Sequence, residues 1–174
     1  MRKSWIPNLI TLTNLSFGIF SIMATQNSNY FLSAIFIIVA AIIDRYDGRI
    51  ARFLNVSTDL GKELDSLSDL ISFGVAPSIL IYVKYNLSDS LFYKLIGVCF
   101  LLLYILCGSF RLAKYNSTEF NNIFAGVPIT ITGCALAILS LLAPTYNNIT
   151  VLIVTIIMVI FSYLMVSKIK IKKI

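Results

Sequence analysis

The chain reads as an all-α integral membrane protein of six transmembrane helices, and three observations carry that reading. Hydrophobic residues make up 58% of the 174 positions and charged residues only 13%, with a mean hydropathy of +0.88, far from the balance of a soluble domain. The apolar residues gather in six runs, and a hydrocarbon core about 30 Å thick needs about 20 helical residues to cross it. Threading those runs through a membrane also sorts nearly all of the Lys and Arg residues to one side.

The first run spans Asn8 to Ala24. Trp5 and Pro7 precede it and no small-residue cleavage site follows a compact apolar stretch, so it is expected to stay as an anchor. The second, Tyr30 to Ile43, is short by itself. A helix continued through the polar turns from Asp44 to Phe53 is long enough to cross with some tilt, and its last turns then reach the membrane surface. A turn is expected in F-L-N-V-S-T-D-L, with Asn55 or Ser57 capping the helix that follows. The remaining runs are Leu60 to Val83, Leu91 to Phe110, Ile123 to Ala143 and Ile149 to Val166. No internal repeat, low-complexity tract or second domain interrupts them, so residues 1–174 are expected to form one membrane domain.

With six spans, Arg2, Lys3, Arg45, Arg49, Arg52, Lys62, Arg111, Lys114, Lys168, Lys170, Lys172 and Lys173 share one side. The other side has Lys84 and Lys94. Short basic loops are retained in the cytoplasm, which predicts both termini there, in a multi-pass protein of the cell membrane. The net charge of +6 is thereby explained by orientation, and a basic tail ending K-I-K-I-K-K-I suits anionic headgroups. Nucleic acid is not an expected partner, because the charges are dispersed over membrane-flanking loops. Cys99, Cys107 and Cys134 lie in apolar runs without paired spacing and read as free thiols. The complete lack of histidine excludes His general bases and His-ligated metals.

Against this apolar background, six of the eight acidic residues fall between Asp44 and Asp69. A charged side chain at membrane depth costs about 2.5–3.5 kcal/mol on insertion scales, so the cluster needs compensation. Helical spacing puts Asp44, Asp47, Gly48, Ala51 and Arg52 in one stripe, and Thr58, Gly61, Asp65 and Asp69 in another. If the two stripes face each other, four carboxylates surround one small space. Pairing with Arg45, Arg49, Arg52 and Lys62 compensates only part of that charge, since Arg45 and Arg49 lie on another face. Two hard divalent cations, Mg²⁺ or Mn²⁺, balance four carboxylates and suit an all-oxygen ligand set. Gly48 and Gly61 permit either close ligand approach or close helix packing, and Arg52 can grip phosphate.

Together these positions spell D-x2-D-G-x2-A-R-x8-G-x3-D-x3-D, which resembles the signature of the CDP-alcohol phosphatidyltransferase family without a gap or substitution. The similarity continues through D-S-L-S-D-L-I-S-F-G-V-A-P-S from Asp65, R-L-A-K-Y-N from Arg111, F-A-G-V-P-I from Phe124 and S-Y-L-M-V-S-K-I-K from Ser162, where the chain is similar to the family's serine-accepting bacterial branch. The resemblance implies a six-helix, usually dimeric membrane enzyme with its active site at the cytoplasmic ends of helices 2 and 3. Such enzymes use two divalent cations to move a phosphatidyl group from CDP-diacylglycerol to an alcohol, here L-serine, with release of CMP.

By the same resemblance, Asp44, Asp47, Asp65 and Asp69 become metal ligands, with Asp69 also the proton acceptor. Asn8, Thr11, Gly48, Arg52, Thr58 and Gly61 become contacts of the CDP-lipid. Serine brings a carboxylate that needs a cation, for which Arg111 is the first candidate and Lys114 the second. No Ser/His or Cys/His pair exists for a covalent relay, which favours direct transfer, although a carboxylate nucleophile is a second route. Glycerol 3-phosphate, inositol or inositol phosphate is the alternative acceptor. A divalent-cation transporter is the rival from another class; it usually repeats its site in the other half of the chain, where only Asp89 and Glu119 are acidic.

Overall fold

The computed structural model describes residues 5–53, 58–85, 91–117, 124–143, 148–167 and 170–171. Helix α1 runs Trp5–Gln26 and α2 runs Tyr30–Phe53, so the expected continuation of the second helix through the charged turns is present. Next come α3 (Asp59–Asp69), a π-helical segment (Leu70–Val75) and α4 (Ala76–Lys84), which follow one another without a break as a single span. The chain continues with α5 (Leu91–Ser117), α6 (Ile129–Leu142) and α7 (Asn148–Val166). Two-residue strands, β1 (Phe124–Ala125) and β2 (Lys170–Ile171), pair antiparallel and tie the segment before α6 to the chain beyond α7.

Among the described residues four stretches are long and apolar enough to cross a membrane: Pro7–Gln26, Asp59–Lys84, Leu95–Ser117 and Ile149–Val166. Of the six expected spans, two therefore differ from a plain apolar crossing. The second, α2, carries Asp44, Arg45, Asp47, Arg49 and Arg52 in its last turns. The fifth is shorter than its apolar run suggests, because α6 starts only at Ile129. Upstream, Gly126 has φ +83, and a Cβ there would collide with the carbonyl of Met165. Pro128 then occupies the N-cap, and the N–H of Val127 bonds the carbonyl of Leu164 at 3.2 Å.

Helices α1 and α2 form a hairpin closed by Asn27 to Asn29. Ser28 takes a left-handed conformation at φ 59, and the Asn29 side chain accepts the N–H of Leu32 at 3.2 Å. Hydroxyls bind the pair internally. Ser33 Oγ lies 2.9 Å from Ser21 Oγ and 2.7 Å from Thr25 Oγ1, all buried, as suits helices packing where water is absent.

The buried core draws Ala34, Ile37 and Ala40 from α2, Phe73 from the π segment, Leu80 from α4, Tyr104 from α5, Leu136 from α6 and Met158 from α7. Outward positions such as Leu106, Ile131, Leu142, Leu152 and Ile156 are also apolar and exposed. A protein apolar inside and out is built for lipid rather than water. At the far end of the long span Lys84 is buried, donating from Nζ to the carbonyls of Ser140 and Ala143 at the C-terminus of α6. Those carbonyls have no later helical N–H, so the cation satisfies a helix end.

Candidate functional site

Asp44 near the end of α2 comes close to Asp65 of α3 and to Asp69, one turn further along α3. Each offers a carboxylate oxygen, and the three atoms lie within 4.8 Å of one another. All three side chains are partly buried. Among the described residues Asp69 Oδ1 is buried with no hydrogen-bond partner. Three like charges at this separation repel strongly, and an all-carboxylate donor set with an unused buried oxygen fits a hard divalent cation. Asp47 lies on α2, one turn beyond Asp44, but its side chain falls outside the described residues, as does that of Arg52.

The basic residues sort themselves. Lys62 Nζ meets Asp59 at 3.3 Å on the exposed side of α3, a pair that contributes little and leaves the cluster uncompensated by Lys62. Arg45 and Arg49 are exposed. Arg111, from α5, interacts electrostatically with Asp69, and its Nε is buried without a hydrogen-bond partner among the described residues. Lys114, one turn further along, is exposed.

Helix α1 lines the same end of the molecule. Its packing against α3 and the π segment rests on serines of the D-S-L-S-D-L-I-S run. Ser68 Oγ donates to the Thr11 carbonyl at 3.0 Å and Ser72 Oγ to the Asn14 carbonyl at 3.1 Å. Gly18 permits the approach, since a Cβ there would lie 2.9 Å from Ser72 Cα. Thr11 is buried and its hydroxyl donates to the Pro7 carbonyl at 3.1 Å. Asn8 reaches Gly61: its Oδ1 would lie 3.3 Å from a Cβ on that glycine.

Thr58 is the N-cap of α3, its hydroxyl accepting the Gly61 N–H at 3.0 Å. This helix start differs from the expected caps Asn55 and Ser57, which lie outside the described residues. Of the two expected glycines, only Gly48 faces open space, with nothing within 4 Å of a Cβ. At Gly61 a Cβ would lie 3.1 Å from Thr58 Oγ1 and 3.3 Å from Asn8 Oδ1.

One contact had no forerunner in the spacing. Asn116, near the end of α5, donates from Nδ2 to Ser66 Oγ at 3.0 Å and to Glu63 Oε1 at 3.3 Å. It ties the R-L-A-K-Y-N run directly to the aspartate-bearing helix. The three cysteines are free, with Cys134 near enough to Asp44 to interact electrostatically.

The family model described as CDP-alcohol phosphatidyltransferase matches residues 4–166. The chain is 41% identical over 170 residues to the CDP-diacylglycerol–serine O-phosphatidyltransferase of Bacillus subtilis, covering 96% of this chain and 89% of that one. It is 33% identical over 146 residues to the protein of the same name from Helicobacter pylori, covering 81% of this chain and 59% of the relative. An archaetidylserine synthase of Methanothermobacter thermautotrophicus is 35% identical over 136 residues, 76% of this chain and 56% of its own length.

Proposed function

Because the chain belongs to the CDP-alcohol phosphatidyltransferase family, we propose that it transfers the phosphatidyl group of CDP-diacylglycerol to the hydroxyl of L-serine, giving phosphatidylserine and CMP. The observation that carries the reading is the convergence of Asp44, Asp65 and Asp69, from two helices, at positions whose spacing resembles the family's signature. Serine as acceptor is supported by the relatives, whose names share it although the lipid part differs.

Asp44, Asp65 and Asp69 would hold the divalent cations, with Asp47 completing the set from the same face of α2. When bound, Mg²⁺ or Mn²⁺ neutralises pyrophosphate oxygens and eases departure of CMP. Asp69 takes the proton of the serine hydroxyl as that oxygen attacks phosphorus on the lipid side; a new P–O bond forms, and the bond to the CMP oxygen breaks. Arg111 binds the serine carboxylate, aided by Lys114, its unused Nε being available to that ligand.

Gly48 leaves room for the nucleotide and Arg52 grips its phosphate. Asn8, Thr11, Thr58 and Gly61 shape the same pocket from α1 and the start of α3. We place the cluster and both termini at the cytoplasmic face of the cell membrane, in one six-span domain that assembles as a homodimer. The twelve basic residues on that side support the orientation.

The test is purified protein supplied with CDP-diacylglycerol, Mn²⁺ or Mg²⁺, and serine, glycerol 3-phosphate or inositol in parallel. CMP and phosphatidylserine are expected with serine alone. Release with glycerol 3-phosphate instead refutes the acceptor, and no release with any acceptor refutes the activity.

A further inference from the structure

The carbonyl of Phe73 is where three helices meet. In a regular α-helix it would accept the N–H of residue 77, but residue 77 is proline and has none. The chain here is π-helical, with the Ala76 N–H returning to the Ile71 carbonyl, five residues back. Tyr104, fully buried on α5, donates its hydroxyl to the Phe73 carbonyl at 3.1 Å. The same hydroxyl oxygen lies 2.9 Å from Thr132 Oγ1 of α6. Gly133 lets α6 come this close, since a Cβ there would lie 2.7 Å from the Phe73 oxygen.

This junction lies one turn beyond Asp69, the residue that precedes the π segment. On α5, Tyr104 and Arg111 are seven residues apart, two turns along one face. Tyr104 meets Phe73 while Arg111 interacts electrostatically with Asp69, so the two pairs are successive rungs between the same two helices. Among the described residues Asp69 Oδ1 and Arg111 Nε have no hydrogen-bond partner, so no bond between these two atoms sets the separation of the helices that carry them.

We propose that Tyr104 is a positioning residue: its bond to the Phe73 carbonyl holds α5 in register with the Asp69-bearing span and so places Asp69 against Arg111. The inference rests on the proposed roles of those two residues. A Tyr104→Phe protein keeps the ring in the core and loses only the hydroxyl. Its affinity for Mn²⁺, read directly by electron paramagnetic resonance, is expected to fall about tenfold, and kcat to fall about as far, as when the support of a metal ligand is removed.

Tyr85→Phe is the control. It removes a comparable bond, Tyr85 Oη to the Ala143 carbonyl at 3.4 Å, at the far end of the same span. Its Mn²⁺ affinity is expected to match wild type. Should Tyr104→Phe not accumulate folded, Thr132→Val removes the neighbouring hydroxyl and must weaken Mn²⁺ binding in the same direction. Wild-type Mn²⁺ affinity in whichever of these variants folds, or a loss no larger than that of Tyr85→Phe, overturns the proposal. The Mn²⁺ titration needs no substrate, so failure of the wild-type protein to release CMP would count against the functional reading and not against this one.

Discussion

Asp44, Asp65 and Asp69 were legible as a group because i, i+4 spacing places side chains on one helical face, and acidic residues are conspicuous in an apolar chain. The bond from Asn116 to Ser66, which lies between two of them on the same helix, was not, since a contact between residues 116 and 66 leaves no periodic trace. The two glycines show what a sequence pattern leaves open. Equal in the signature, they separate in the structure: Gly48 faces open space, whereas Gly61 is packed against Thr58 and Asn8. Gly48→Ala therefore meets no protein atom, and its helical position favours alanine slightly over glycine. The expected outcome is unchanged or slightly raised thermal stability in detergent with a several-fold higher KM for the CDP-lipid, in the range that a ground-state steric contact produces. An unchanged KM would remove Gly48 from the nucleotide pocket.

At the scale of elements, the apolar runs translated well into helices, because length and hydropathy are local properties of a chain. The extension of α2 to Phe53 followed from the need to cross a membrane. The π segment did not announce itself: Pro77 marks a missing donor, but whether a helix kinks, breaks or inserts a residue depends on what accepts and donates around it. Here Tyr104 and Gly133 come from α5 and α6, far along the chain. The start of α6 was missed for a related reason, since Gly126 and Pro128 lie inside an apolar stretch that hydropathy alone reads as continuous. The close approach at the π segment yields a specific expectation. Gly133→Ala puts a methyl against backbone atoms of Phe73, at 2.7 Å from O and 2.9 Å from Cα, which cannot swing aside as a side-chain tip can. We expect a loss of about 1–3 kcal/mol, the usual cost of overpacking. Chemical denaturation in detergent measures it, and an unchanged midpoint would contradict the packing described.

For the whole molecule, the arrangement separates two tasks. Serine hydroxyls, small residues and buried aromatics hold the helices together where water is absent, while the carboxylates gather at the end that α1, α2, α3 and α5 share. Composition announced a membrane protein at once. The number of crossings is less plain from hydropathy, because α2 trades apolar length for the charged residues of the site, and α6 is short. The central claim is that the three converging aspartates form a metal-dependent centre for phosphatidyl transfer to serine. It is tested most directly by following Mn²⁺ binding and CMP release together in the wild-type protein and in Asp69→Asn, with CDP-diacylglycerol and serine present. The account predicts that wild-type turnover stops on chelation and returns with Mn²⁺, and that Asp69→Asn binds Mn²⁺ at least about tenfold more weakly and releases no CMP above background while the CDP-lipid still binds. Wild-type turnover in Asp69→Asn, or turnover that survives chelation, would contradict it.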